Sequence, residues 1–203
     1  MNVSIETIKI LLQKELPGTR AHSRLLPPKR VLKPAPADKS KVKKSSVLLL
    51  LFQQDGELMA CLIKRPKHMK HHAGQIALPG GRMETGETAI ETAVRETYEE
   101  IGVGENEIEI LGSLSKFYVE VSRFEIQPIV GYLHKLSAFH LSPDEVEKLI
   151  FFPIRCFAPP HKFIELETVT GKLQVPCVYF ENEIIWGATA MILSEFYDVI
   201  NSI

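Results

Sequence analysis

Glu96, Glu99 and Glu100 stand at i, i+3 and i+4, so on a helix their carboxylates converge on one side. Like charges at that spacing destabilise a helix by a few tenths of a kcal/mol, and a bound cation offsets the repulsion. Magnesium or manganese suits such a site, because hard divalent ions take carboxylate and carbonyl oxygens, keep waters and bridge phosphates. Gly80 and Gly81 lie upstream, and their backbone, free of side chains, can bring a carbonyl close to the same ion. Glu87 and Arg95 are opposite charges placed to brace a loop against the helix, a supporting role. The competing reading of Glu-x-x-Glu-Glu taken alone is a solvated acidic face. The loop glycines, Glu87 and Arg95 at fixed distances weigh against it.

The elements that must position these residues are legible around them. Thr88 and Glu91 have the spacing of a capping box, which predicts a helix from about Thr88 to Ile101. Ile90, Val94, Thr97, Tyr98 and Ile101 share one face and are expected in the core. Ala89 and Ala93 lie near the acidic face, where their small size leaves room for a ligand. Upstream, residues 47–53 and 57–63 are strand-like around Asp55-Gly56, a hairpin signal. A short strand is expected over 75–78, ending at Pro79-Gly80-Gly81. Downstream the pattern predicts strands over 108–121 and 124–133, a short helix opened by Ser142-Pro143, and a hairpin of 162–170 with 173–180. A last helix runs over 187–200. Strands and helices in this mixed order give an α+β class, an α/β/α sandwich.

Residues 1–44 differ from the body at 45–203. A short amphipathic helix is expected over 4–16, stopped by Pro17-Gly18. Residues 20–44 carry nine Lys or Arg against Asp38 alone, with prolines at 27, 28, 34 and 36. That composition predicts an extended basic arm laid over the domain or partly mobile, solvated or touching an anionic ligand.

Overall the 203 residues are 45% hydrophobic and 24% charged, with a net charge of −1, the balance of one soluble globular domain. Near-neutral charge removes a whole-protein argument for nucleic acid or an anionic membrane surface. No apolar run is long enough to span a bilayer, and the first residues lack the pattern of a secretory signal. Cys61, Cys156 and Cys177 are far apart and odd in number, so buried, reduced thiols in the cytoplasm are expected.

From Gly81 to Val103 the sequence resembles the Nudix box, G-x5-E-x7-R-E-U-x-E-E-x-G-U, at every fixed position but one; Thr97 stands where a bulky aliphatic is usual. The resemblance implies a Nudix hydrolase with a mixed sheet between helices, cleaving a nucleoside diphosphate linked to another moiety. It implies Glu96, Glu99 and Glu100 as ligands of magnesium or manganese, with the Gly80 carbonyl.

Substrate choice must come from outside the box. Leu62, Arg65, Gly74, Pro79, Gly80 and Gly81 fall where the coenzyme A pyrophosphatase branch has its additional motif. Cys61, Ile63, Pro66, Lys70 and Leu78 depart from it. Residues 141–146 and 185–190 are also similar to that branch. Lys64, Arg65, Lys67 and Lys70 form a cationic stretch suited to phosphate, with Lys64, Arg65, Lys70 and Gly74 the candidate substrate-binding residues. His68, His71 and His72 crowd the same stretch and are expected to contact phosphate or solvent rather than zinc. Hydrolysis of coenzyme A would give 3′,5′-ADP and 4′-phosphopantetheine. The general base is left open between a box glutamate, Glu96 being the preferred one, and an acid of a later loop such as Glu120, Glu145, Glu181 or Glu183. Two other functions stay open: a Nudix pyrophosphatase acting on ADP-ribose, dinucleotides or oxidised nucleotides, and an inactive Nudix-like nucleotide-sensing or RNA-binding module. The partner expected is a small nucleotide, with a homodimer compatible with the sequence.

Overall fold

The computed structural model describes residues 3–136, 138–159, 162–168 and 171–202. Its centre is β1 (Lys43–Gln54), whose middle is apolar without alternation because both faces of the strand are covered. β1 turns at Asp55-Gly56 into antiparallel β2 (Glu57–Lys64), with Gln54 opposite Glu57 as the hairpin signal required. β3 (Ile76–Ala77) pairs with β2, and β4 (Gly80–Arg82) pairs with the beginning of β1. Helix α3 (Ala89–Ile101) follows. Then come β5 (Ile108–Ser113), β6 (Phe117–Val119) and β7 (Phe124–Leu133), the last lying parallel to β1 over its whole length. The expected strand over 108–121 is therefore two strands, separated at 114–116, both paired with β7.

β8 (Lys148–Pro153) joins the sheet beside β2. The helix expected at Ser142-Pro143 is a turn, in which the Val146 N–H donates to the Ser142 carbonyl at 2.8 Å before the chain enters β8. β9 (Lys162–Thr168), β10 (Gly171–Phe180) and β11 (Glu183–Trp186) form a separate three-stranded sheet. Positions 169 and 170 of the expected hairpin lie outside the described residues. α4 (Gly187–Ile200) closes the chain.

Residues of β1 and β2 alternate between two cores. Leu48, Leu50, Cys61 and Ile63 face α3, while Leu49, Leu51, Ala60 and Leu62 face α4 and the N-terminal segment. Helices thus cover both faces of a mixed sheet, the α/β/α arrangement expected. The N-terminal helices are α1 (Ile5–Leu12), capped by Ser4, and α2 (Thr19–Ser23). Ile8, Leu11, Leu12, Ala21 and Leu25 are buried with α4. The first part of the basic stretch is therefore laid over the domain, one of the two expected alternatives, but as the short helix α2 rather than in extended form. It is anchored by burial and by polar contacts: Arg24 lies 2.7 Å from Asp198, and Glu195 accepts from the Gly18 N–H at 3.0 Å.

Among the described residues, no helix is long and apolar enough to cross a membrane.

Candidate active site

The box helix starts where its cap places it. Thr88 Oγ1 accepts from the Glu91 N–H at 3.2 Å, and Glu91 accepts from the Thr88 N–H at 2.7 Å. The buried face comprises Ala93, Val94, Thr97, Glu100 and Ile101, whereas Ile90 and Tyr98 are exposed. The expected core face is thus rotated. Thr97 fits because its hydroxyl donates to the Ala93 carbonyl at 2.7 Å, and buried Ala93 packs into the core instead of leaving space beside a ligand. The rotation carries Glu100 inward to 2% exposure.

Two glycines let the strand before the box meet these carboxylates. A Cβ at Gly80 would sit 2.5 Å from the Ser46 carbonyl oxygen, and its φ of +149° is itself costly for other residues. A Cβ at Gly81 would lie 2.4 Å from Glu96 Cδ, so this backbone is pressed against the Glu96 carboxylate. The Gly80 N–H donates to Glu100 Oε2 at 2.9 Å.

Arg95 is the brace the sequence suggested. Its Nε and Nη2 donate to the two oxygens of Glu87 at 2.6 and 3.1 Å, a bidentate pair. Its Nη1 bridges Glu96 at 2.9 Å and Glu99 at 3.0 Å, and Nη2 also reaches the Arg82 carbonyl. Glu87 further accepts from the Glu84 N–H and the Thr92 hydroxyl, each at 2.8 Å. Arg95 first, then these donors, hold the Glu87 carboxyl down at about 2.

Glu100 is the opposite case. Burial pushes its carboxyl up to about 8, against the Gly80 N–H and Arg65, which favour the charged form. Burial also raises Glu96, with Arg95 opposing. Both feel a further negative charge, Glu145. That residue lies in the turn before β8, which is fastened to the site from two sides. The Ser142 N–H donates to the Glu100 carbonyl at 2.9 Å, and the Glu147 N–H to the Lys64 carbonyl at 2.8 Å.

The candidate substrate residues divide. Arg65 Nη1 lies 3.5 Å from Glu100 Oε1, while Arg65 Nε is buried with no hydrogen-bond partner among the described residues. Gly74 supports it from behind, its N–H donating to the Arg65 carbonyl at 3.1 Å. Lys64 instead pairs with Glu183 at 2.9 Å and Glu147 at 3.5 Å, and Lys148 also binds Glu183 at 2.9 Å. Lys70 is exposed, as are His68, His71 and His72. Of the later acids, Glu183 is tied to these two lysines, Glu120 pairs with Lys33 at 2.9 Å, and Glu181 is exposed where β10 turns into β11. Only Glu145 among those four influences both inner carboxylates. Sequence spacing could name the four but not choose, because the choice depends on where each loop folds back.

The donor set fits a hard divalent cation. Glu96 and Glu100 are carboxylates withdrawn from water, Glu99 stands at their rim, and the buried charge of Glu100 is met by a single N–H and a long Arg65 contact. Among the described residues no three His, Cys, Asp or Glu side chains already form a closed cage. Magnesium and manganese do not require one, since they retain waters and complete their shell with substrate phosphate.

The NUDIX domain model matches residues 42–169. The chain is 42% identical over 112 residues to Nudix hydrolase 3 of Caenorhabditis elegans, covering 54% of this chain and 47% of that protein. It is 36% identical over 124 residues to the peroxisomal coenzyme A diphosphatase ndx-8 of the same organism, covering 59% and 53%. An uncharacterised Nudix hydrolase, NudL of Pectobacterium atrosepticum, is 32% identical over 137 residues, covering 66% and 71%. The matched stretch is thus about half the length of the two worm relatives. In fold the chain is similar to the Nudix hydrolase RenU of M. smegmatis, with a TM-score of 0.57, 15% identity and coverage of 79% and 86%. It is also similar to a MutT protein of Methanosarcina mazei, with a TM-score of 0.52, 20% identity and coverage of 80% and 96%.

Proposed function

This chain belongs to the NUDIX family, and on that premise we propose that it is a divalent-metal-dependent pyrophosphatase cleaving the diphosphate of coenzyme A or its derivatives. The observation that carries the reading is the buried Glu100 beside Arg65, whose Nε–H has no partner among the described residues. A carboxylate held at this depth calls for a cation, and a buried unpaired donor next to it calls for an anionic oxygen. A diphosphate accompanied by its counter-cation satisfies both.

Glu96, Glu99 and Glu100 would hold magnesium or manganese, with the Gly80 carbonyl. The ion supplies charge neutralisation of the diphosphate and acidification of a water. Arg65 donates to a diphosphate oxygen and fixes its position. Arg95 keeps Glu96 and Glu99 aimed across the helix while Glu87 anchors its other edge. Glu145 accepts the proton of the attacking water from the far side of the site. The water oxygen bonds to phosphorus, the bridging P–O bond breaks, and 3′,5′-ADP and 4′-phosphopantetheine leave. Support for this substrate comes from the Arg65 and Gly74 motif and from the relative named as a coenzyme A diphosphatase. The cytoplasmic placement suggested by the free thiols belongs to this proposal, to be checked by fractionation of cells against that relative's peroxisomal name.

The test compares coenzyme A, 3′-dephospho-coenzyme A, ADP-ribose and NADH at equal concentration with magnesium or manganese, separating phosphate-bearing products by chromatography. Preference for coenzyme A, lost in Glu100→Gln, is the expected result. Preference for ADP-ribose or NADH would keep the pyrophosphatase and remove the coenzyme A assignment, and no turnover of any of them would favour a nucleotide-sensing module.

A further inference from the structure

A second concave surface lies away from the carboxylates. It is a groove of about 420 Å³ between Lys29, Arg30, Val31 and Lys33 on one wall and Glu120 and Val121 on the other. Its composition is unusual for a solvated loop. Val31 and Val121 are 75% and 84% exposed. Lys33 is neutralised by Glu120 at 2.9 Å, but among the described residues Lys29 and Arg30 make no ion pair. The wall is held in place. The segment leading into it is buried at Leu25, and the Arg30 N–H donates to the Pro27 carbonyl at 3.0 Å.

The sheet fixes where this groove stands relative to the box. At the same rows of β1, β4 pairs on one side and β7 on the other, and β6 lies beyond β7. The Lys43 N–H donates to the Arg123 carbonyl at 2.9 Å, tying the end of the basic stretch to the β6–β7 turn that carries Glu120 and Val121. From β4, which leads into the box, to β6 is three strand spacings, about 14 Å. The Arg65–Gln75 connection lies on the opposite flank, between β2 and β3. The box strand is therefore flanked by cationic surface on both sides. On the Arg65–Gln75 flank Lys64 is tied to Glu183 and Glu147 and Arg65 faces Glu100, while Lys67 and Lys70 are exposed. The other offers two unpaired cations beside apolar surface, which suits a phosphate carried on a partly apolar moiety.

We propose that the groove between Lys29–Lys33 and the β6–β7 turn binds a phosphate monoester of the substrate remote from the scissile diphosphate. This rests on the pyrophosphatase reading above and names the 3′-phosphate of coenzyme A as the group bound. The basic stretch is then a specificity element, folded against the body to present its charge beside the catalytic strand.

The test is the full-length Lys29→Glu, Arg30→Glu double variant, with both side chains on the surface so that its urea midpoint should match the parent. With manganese, KM for coenzyme A should rise about tenfold or more, kcat should hold, and both constants for 3′-dephospho-coenzyme A should be unchanged. In parallel, calorimetry should show weaker binding of 3′,5′-ADP to the variant and unchanged binding of 5′-AMP. Equal effects on both substrates, or unaltered 3′,5′-ADP affinity, would overturn the proposal. So would a variant that keeps its coenzyme A selectivity but loses affinity for a fluorescent oligouridylate, which would assign the groove to nucleic acid. Failure of the parent to hydrolyse coenzyme A, with 3′,5′-ADP binding still lost in the variant, would uphold the groove and remove only the substrate reading.

Discussion

Glu100 and Glu195 are almost equally withdrawn from solvent, at 2% and 0% exposure, yet their surroundings differ in kind. Glu195 is surrounded by donors: the Gly18 N–H at 3.0 Å, the Ser115 N–H at 3.1 and 3.2 Å, and His22 Nε2 at 2.9 Å. Each of its oxygens is used, and the partners come from two distant parts of the chain, the α2 segment and Ser115. Glu100 has one backbone N–H and an arginine at 3.5 Å that itself keeps an unpaired Nε. A buried carboxylate with its lone pairs satisfied acts as a fastener. One left short of partners is destabilising until something else arrives. The contrast separates a carboxylate that holds the molecule together from one that, in the proposed function, waits for a cation.

The comparison can be broken most directly at Glu195. Glu195→Ala strands buried donors of Gly18, Ser115 and His22, so it should cost about 3–5 kcal/mol in urea unfolding. Any enzyme that remains folded should keep its catalytic constants. Glu100→Gln should do the reverse, lowering kcat by about 10²–10³-fold while leaving the urea midpoint unchanged or higher. A large loss of stability in Glu100→Gln would erase the distinction. Glu145→Gln should reduce kcat by about 10²-fold with unchanged affinity for manganese, measured by electron paramagnetic resonance. A matching loss of manganese affinity would make Glu145 a ligand instead.

A smaller effect separates two carboxylates by sign. Glu100 is raised to about 8, so without metal its contribution to stability is full below the ordinary carboxylate range and is lost as pH rises towards 8. Glu87 is lowered to about 2, so its contribution is present above the ordinary range and is lost as pH falls towards 2. Thermal unfolding with and without magnesium should therefore show the metal raising Tm more at pH 8 than at pH 5. The Glu100→Gln variant should lose that difference, and Glu87→Gln should lose part of the acid sensitivity. An equal effect of magnesium at both pH values would contradict the placement of Glu100 in the ion's site.

The legible parts of the molecule were those fixed by neighbours in sequence. The capping box at Thr88 and Glu91, the Asp55-Gly56 hairpin and the Glu87–Arg95 brace all involve partners within a few residues or one helix, and all form as expected. What was misread involved competition between faces. Val94, Thr97 and Ile101 of the expected face are buried, but Ile90 and Tyr98 are exposed, and Ala93 and Glu100 are carried inward from the adjoining face. The Ser142 turn has acidic residues and a proline placed as for a helix start, yet its N–H groups are taken by Ser142, Glu100 and Lys64, and the chain proceeds into a strand. Charge and prolines in the basic stretch leave a laid-down and a mobile arm equally open, and they do not reveal the short helix α2 or the fit of Ala21, His22 and Leu25 against α4.

The sequence by itself determined the chemistry on offer. Carboxylates at i, i+3 and i+4, an arginine and a glutamate at bracing distance, and glycines before them are covalently spaced, so their mutual geometry follows once the helix forms. Only the tertiary structure decided the electrostatics of each group. It buried Glu100 but left Glu99 at the rim, matched Glu195 to His22 across the chain, left Arg65 Nε unpaired and brought Glu145 to the site. Spacing along a helix is local, whereas desolvation and the count of partners depend on which distant segments close over a side chain. The same residue type thus became a fastener on one face of the sheet and a carboxylate short of partners on the other.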